Sequence, residues 1–113
     1  MEGKHFKATE LSCKHCGKQG VTSLLVNKLD SLRGLMASPL ILTSAYRCPE
    51  HPEEIKKKKG GTHTQGIAVD IRVFGIEQIR LVKHAYDTGF RGFGIANTFL
   101  HIDLRREPAK WIY

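Results

Sequence analysis

Two histidines and a carboxylate stand out as residues whose types and spacing can hold a metal. His63 and Asp70 fall within Gly61-Thr62-His63-Thr64-Gln65-Gly66-Ile67-Ala68-Val69-Asp70, and His101-Ile102-Asp103 comes later in the chain. Imidazole nitrogen and carboxylate oxygen are both good zinc donors. A set of three protein ligands leaves one coordination position open for water, which separates a catalytic site from a closed structural one. Gly66 and Ala68 are small at positions where bulk would obstruct the metal. On an extended strand Asp103 projects to the same face as His101. It is the nearest carboxylate to that ring in sequence, a candidate general base for the water or a partner that holds the ring in place. Arg47 is always protonated and can bind in two-pronged fashion. It suits a substrate carboxylate or a developing oxyanion, or else a structural ion pair.

A second set of metal-type residues lies near the amino terminus. Cys13-Lys14-His15-Cys16-Gly17 is a Cys-x-x-Cys followed by glycine, the form of a zinc knuckle, and Cys48 and His51 could complete a tetrahedral site of three cysteines and one histidine. Three cysteines, an odd number, argue against a disulfide framework. Three readings stay open: a second, structural zinc, a disulfide from Cys48 to the knuckle, and plain reduced thiols.

The elements that must carry these groups follow from hydrophobic spacing. Val21, Leu24, Leu25, Leu29, Leu32, Leu35 and Met36 recur at three and four, predicting a helix from 21 to about 37 that Ser38-Pro39 ends. Leu40 to Thr43 reads as a short buried strand running into Ser44-Ala45-Tyr46-Arg47, and Pro49 and Pro52 call for an irregular loop. Ile67 to Val73 alternates as a strand with Ala68, Asp70 and Arg72 on one face. A second helix fits Ile76 to about Thr88, with Ile76, Ile79, Val82, Lys83 and Tyr86 along one stripe and Gly89 as its stop. Arg91 to Ala96 reads as an edge or interrupted strand, Asn97-Thr98 as a turn, and Phe99 to Leu104 as the closing strand of a hairpin. The resulting fold class is α+β, with a small, largely antiparallel sheet and two main helices.

With 113 residues the chain is expected to form a single domain. No apolar run is long enough for a membrane helix, and no signal peptide is legible, so a soluble product is expected. A formal net charge of +7, fed by the run Lys56 to Lys59, favours anionic partners such as acidic wall polymers. Nucleic acid is disfavoured because no aromatics interleave with the lysines. His5, His15 and His84 are read as surface residues, and Tyr46 as a packing residue.

Taken together, these segments resemble the zinc peptidases of bacteria and phages that act on peptidoglycan: D-alanyl-D-alanine carboxypeptidases, D-Ala-D-Ala dipeptidases and L-alanyl-D-glutamate endopeptidases. Their fold is shared with the hedgehog signalling domain. The family signature Ser-x-His-x-x-Gly-x-Ala-x-Asp with a later histidine is matched at His63, Gly66, Ala68, Asp70 and His101, and Ser44 to Pro49 is similar to the upstream Ser-Gly-Tyr-Arg segment. The resemblance spans about residues 6 to 113. It implies a monomeric zinc peptidase with His63, Asp70 and His101 as metal ligands and Arg47 on the substrate. Two positions depart from the family pattern. Gly61 stands where the signature has serine, and Thr98 stands where many members carry an acidic general base. The resemblance therefore implies hydrolysis of a stem-peptide bond for wall lysis or remodelling, released by a holin or carried in a virion if phage-derived. The departure at Thr98 keeps open a wall-binding or virion structural module that retains the fold and the metal without turnover.

Overall fold

The computed structural model describes residues 5–48 and 61–113. The expected loop at Pro49 and Pro52, His51 and the lysine run Lys56 to Lys59 lie outside the described residues.

A short helix α1 (Ala8–Leu11) precedes α2 (Ser23–Met36) and strand β1 (Ile41–Ser44). Then come β2 (Ala68–Arg72), helix α3 (Ile76–Thr88), β3 (Gly92–Ile95), β4 (Phe99–Asp103) and β5 (Ala109–Ile112). The five strands form one sheet in the order β1-β2-β4-β3-β5, antiparallel except for the parallel pair β3 and β5. The fold is thus the expected α+β arrangement with a mostly antiparallel sheet.

Local chemistry accounts for the helix ends. The Thr22 hydroxyl accepts the Leu25 amide at 3.1 Å and opens α2. Gly89, with φ at 121°, closes α3 by donating its amide to Ala85. One face of the sheet supplies Val69, Ile71, Leu100 and Ile102 to the core, where they join Leu25, Leu29 and Leu32 of α2, Leu81 and Ala85 of α3, and Phe90. Strand alternation then sends Ala68, Asp70, His101 and Asp103 to the opposite face.

Four expectations need correction. Helix α1 and strand β5 lie outside the expected elements: α1 is four residues long, and β5, behind Pro108, alternates half-buried with exposed residues while its sequence Ala-Lys-Trp-Ile does not alternate apolar with polar throughout. Strand β3 is interior, flanked by β4 and β5, instead of an edge strand, while β4 pairs antiparallel with it as the expected second strand of the hairpin. The apolar stripe of α3 mostly faces outward, with Ile76 71%, Ile79 65% and Tyr86 54% exposed, while Leu81 and Ala85 are fully buried. A polar group on that helix explains why: Gln78 Nε2 donates to the carbonyls of Ala96 at 2.8 Å and Phe99 at 3.1 Å, satisfying turn groups no apolar side chain could.

Gly66 is the fourth. Its smallness serves the backbone: φ is +76°, and a Cβ there would collide with the carbonyl of Gly20. Gly34, by contrast, sits in α2 with open space around it. Gly66→Ala should therefore lower unfolding free energy by more than about 1 kcal/mol, whereas Gly34→Ala should raise it by about 0.5–1 kcal/mol. Denaturant unfolding of the two variants checks the contrast, and equal effects would contradict it.

Candidate metal centre

Asp70 and His101 are direct cross-strand partners on β2 and β4, so their side chains rise together from the site face of the sheet. His63 arrives from the turn before β2. That turn is closed by the amides of Thr64 on Gly61, Gly66 on His63 and Ile67 on Thr62. All three side chains are buried. One donor atom from each, two ring nitrogens and a carboxylate oxygen, gathers within 4.8 Å.

Each of these groups is held from behind. His63 Nδ1 lies 2.6 Å from the Ala45 carbonyl, which can only accept, so Nδ1 carries the proton and Nε2 turns inward. His101 Nε2 lies 2.8 Å from Asp103 Oδ2, which assigns the proton to Nε2 and leaves Nδ1 inward. The second oxygen of Asp70 accepts from Arg47 at 3.0 Å. The inward nitrogens then lie 3.2 Å and 3.1 Å from the same oxygen, Asp70 Oδ1. With their far sides already committed to acceptors, these nitrogens can face a carboxylate favourably only by taking up a second proton or by sharing a cation with it. A divalent metal meets that demand for both rings at once, and outer partners of this kind are what orient histidine ligands in metal sites. The donor set therefore fits zinc.

The electrostatics agree in direction. Burial works to raise Asp70, but hydrogen bonds and charge from His101 and His63 outweigh it and hold the carboxyl well below the usual range. Burial would lower His101, yet its bonds to Asp103 and Asp70 win and raise it above 6.5. Asp103 is fully buried and likewise kept ionised, by His101 and by Arg105. The Arg105 guanidinium meets both its oxygens, Nε on Oδ1 at 2.8 Å and an Nη on Oδ2 at 2.7 Å, and the Arg105 amide adds a third bond at 3.1 Å.

A cleft opens beside the cluster, lined by Arg47, Thr62, His63, His101, Arg105, Trp111 and Tyr113. Among the described residues that line it there is no free carboxylate, and Thr98 is exposed in the turn between β3 and β4. Sequence reasoning missed Trp111, Tyr113 and Arg105. The signal lay in Gly92 and Gly94 of β3: a Cβ on Gly92 would strike the Asp103 carboxylate, and one on Gly94 would strike the Trp111 indole. Bare backbone on β3 is what lets both groups lie over it. The indole stands 5.1 Å from the His101 ring, centroid to centroid, with the Arg105 guanidinium 4.9 Å from its own ring centre.

The structure also gathers Cys13, Cys16 and Cys48, with sulfurs within 4.8 Å of one another. Burial works to raise the Cys13 thiol, but amides of Cys48, Cys16 and His15 directed at its sulfur outweigh it and lower it to about 7. His51 lies outside the described residues.

An α+β sheet that gathers two buried ring nitrogens and a buried carboxylate oxygen at the side of a cleft has the donor set that could hold a metal ion with a coordination position left open. A family model described as Peptidase M15 matches residues 4–103, and the chain belongs to that family, the zinc D-Ala-D-Ala carboxypeptidase-like peptidases. No curated protein matches the chain.

Because His101 is raised, a metal must displace a proton from its ring at any pH below that raised value. Metal affinity should accordingly fall as pH drops, with the decline beginning above pH 6.5, the ordinary histidine value. Competition titrations with a chromophoric chelator across pH check this, and affinity that is flat through this range would contradict it.

Proposed function

We propose that the chain acts as a one-domain, zinc-dependent peptidase that hydrolyses a peptide bond in peptidoglycan stem peptides, serving wall lysis or remodelling. Its zinc ligands are His63 Nε2, Asp70 Oδ1 and His101 Nδ1. The observation that carries the reading is the fixation of all three from behind, by the Ala45 carbonyl, Arg47 and Asp103. Family membership supports the peptidase chemistry. When bound, zinc supplies Lewis acidity that polarises a carbonyl and acidifies water.

The remaining steps belong to the chain's own side chains. Asp70 contributes one negative charge to the centre while its outer oxygen is neutralised by Arg47. Arg47 also lines the cleft, where its guanidinium suits a substrate carboxylate or the oxyanion that develops at the scissile carbonyl. Arg105 provides a second cation on the same cleft. Both suit the carboxylates of stem peptides. Trp111 and Tyr113 form an apolar wall against which a peptide can lie.

Of the two roles open to Asp103, its surroundings favour positioning. A fully buried carboxylate saturated by His101 and Arg105 has no lone pair free to receive a proton from water. It holds the His101 ring and raises its basicity as a ligand. The basic surface expected from composition would aid adhesion to anionic wall polymers.

A second reading is favoured by one observation, the lack of a free carboxylate among the described residues that line the cleft. Under it the protein binds wall peptides through the same centre with little or no turnover.

Purified peptidoglycan incubated with zinc-loaded protein separates the two. Release of new amino groups, with products read by mass spectrometry, is the expected result; tight wall binding without release would establish the module instead. His101→Ala should abolish zinc binding and hydrolysis together. Asp103→Asn, which keeps an acceptor for His101 Nε2, should weaken zinc binding by about 10- to 100-fold yet retain turnover at saturating zinc. Zinc-loaded Asp103→Asn with no hydrolysis at all would make Asp103 the proton acceptor.

A further inference from the structure

We propose that Cys13, Cys16 and Cys48 form a second metal site, a three-thiolate clamp for zinc or another soft divalent cation that fastens the amino-terminal arm to the segment carrying Arg47. The site is independent of the imidazole centre in its ligands and in its chemistry, since thiolates select soft cations.

The turn is built for it. Gly17, at φ +77°, lets the chain double back after Cys16, with the Gly17 amide bonded to the Cys13 carbonyl at 2.8 Å and the Cys13 amide to Lys18 at 2.9 Å. Both thiols of Cys-x-x-Cys are thereby brought to one side. Cys48 comes from the far strand of the contact: its amide donates to Cys13 Sγ at 3.3 Å. Two residues earlier on each strand, the Tyr46 amide meets the Leu11 carbonyl at 3.4 Å. The three sulfurs already lie within 4.8 Å of one another, against about 3.8 Å for ligands sharing a tetrahedral zinc with bonds of about 2.3 Å. Small side-chain rotations close that difference. None of the three cysteines is in a disulfide. Among the described residues no fourth donor joins them.

The placement has a consequence for the cleft. Residues 44–48 carry the Ala45 carbonyl that holds His63, the Ser44 hydroxyl that accepts Arg47 Nε at 3.0 Å, and Arg47 itself. An ion on Cys48 pins the end of that segment, one residue beyond Arg47.

Cobalt(II) titration of the metal-free, reduced full chain tests the site, because only thiolate ligation produces an intense sulfur-to-cobalt charge-transfer band in the near ultraviolet. The band should be displaced by zinc, and it should survive and saturate at one equivalent in a His63→Ala/His101→Ala variant that lacks the imidazole centre. Cys16→Ser, at the exposed cysteine and so harmless to packing, should weaken the band-forming affinity by more than the about 100-fold seen on loss of an outer partner. No band in the wild-type chain, an undiminished band in Cys16→Ser, or a disulfide among the three that persists in zinc and reductant would each overturn the proposal. Lost hydrolysis with the band intact would count against the peptidase reading alone.

Discussion

The site depends on hydrogen bonds made on the sides of its ligands that face away from the cluster. The Ala45 carbonyl commits one nitrogen of His63, and Asp103 commits one nitrogen of His101. Arg47 takes one oxygen of Asp70. What remains on the inner side is a set of lone pairs converging on a small volume, a configuration that repels itself unless positive charge enters. A protein interior tolerates buried charge only when it is paired. Protons can serve, and so can one divalent ion.

The sheet exists in the form it does to make those bonds. Pairing Asp70 with His101 across β2 and β4 sets two of the candidate ligands side by side, and the same register brings Ala68 opposite Asp103. On the other flank, β3 contributes backbone with glycine at the two positions that Asp103 and Trp111 overlie. A methyl group at Gly92 would meet the Asp103 carboxylate and disturb its contact with the His101 ring. The parallel strand β5 then brings Trp111 and Tyr113 over the cleft, so the last residues of the chain shape the surface a substrate meets. Helices α2 and α3 pack against the opposite face.

Much of this was legible in the residues themselves. The long helices, the strands bearing Asp70 and His101, and the three ligand types follow from period and spacing, because apolar alternation on β2 and β4 leaves only one face for polar groups. Other features were hidden for physical reasons. Strand β5 draws its stability from parallel pairing with β3 and has half-buried and exposed residues in turn, so its own pattern is weak. The stripe on α3 misled because Gln78 occupies the inner side, where a polar residue does work that hydrophobic periodicity does not register. Gly66 looked like clearance for a metal and is clearance for the Gly20 carbonyl. The partnership of Asp103 with Arg105 could have been suspected from adjacency, but its closure around both oxygens depends on the turn after β4.

Anomalous diffraction at the zinc edge from crystals of the zinc-loaded protein tests the central claim most directly. A strong peak about 2.0–2.2 Å from His63 Nε2, Asp70 Oδ1 and His101 Nδ1, distinct from any at the three cysteines, with the Ala45, Arg47 and Asp103 contacts retained, is the predicted result. Zinc absent from that trio, with either ring rotated so that its committed nitrogen points inward, would contradict it.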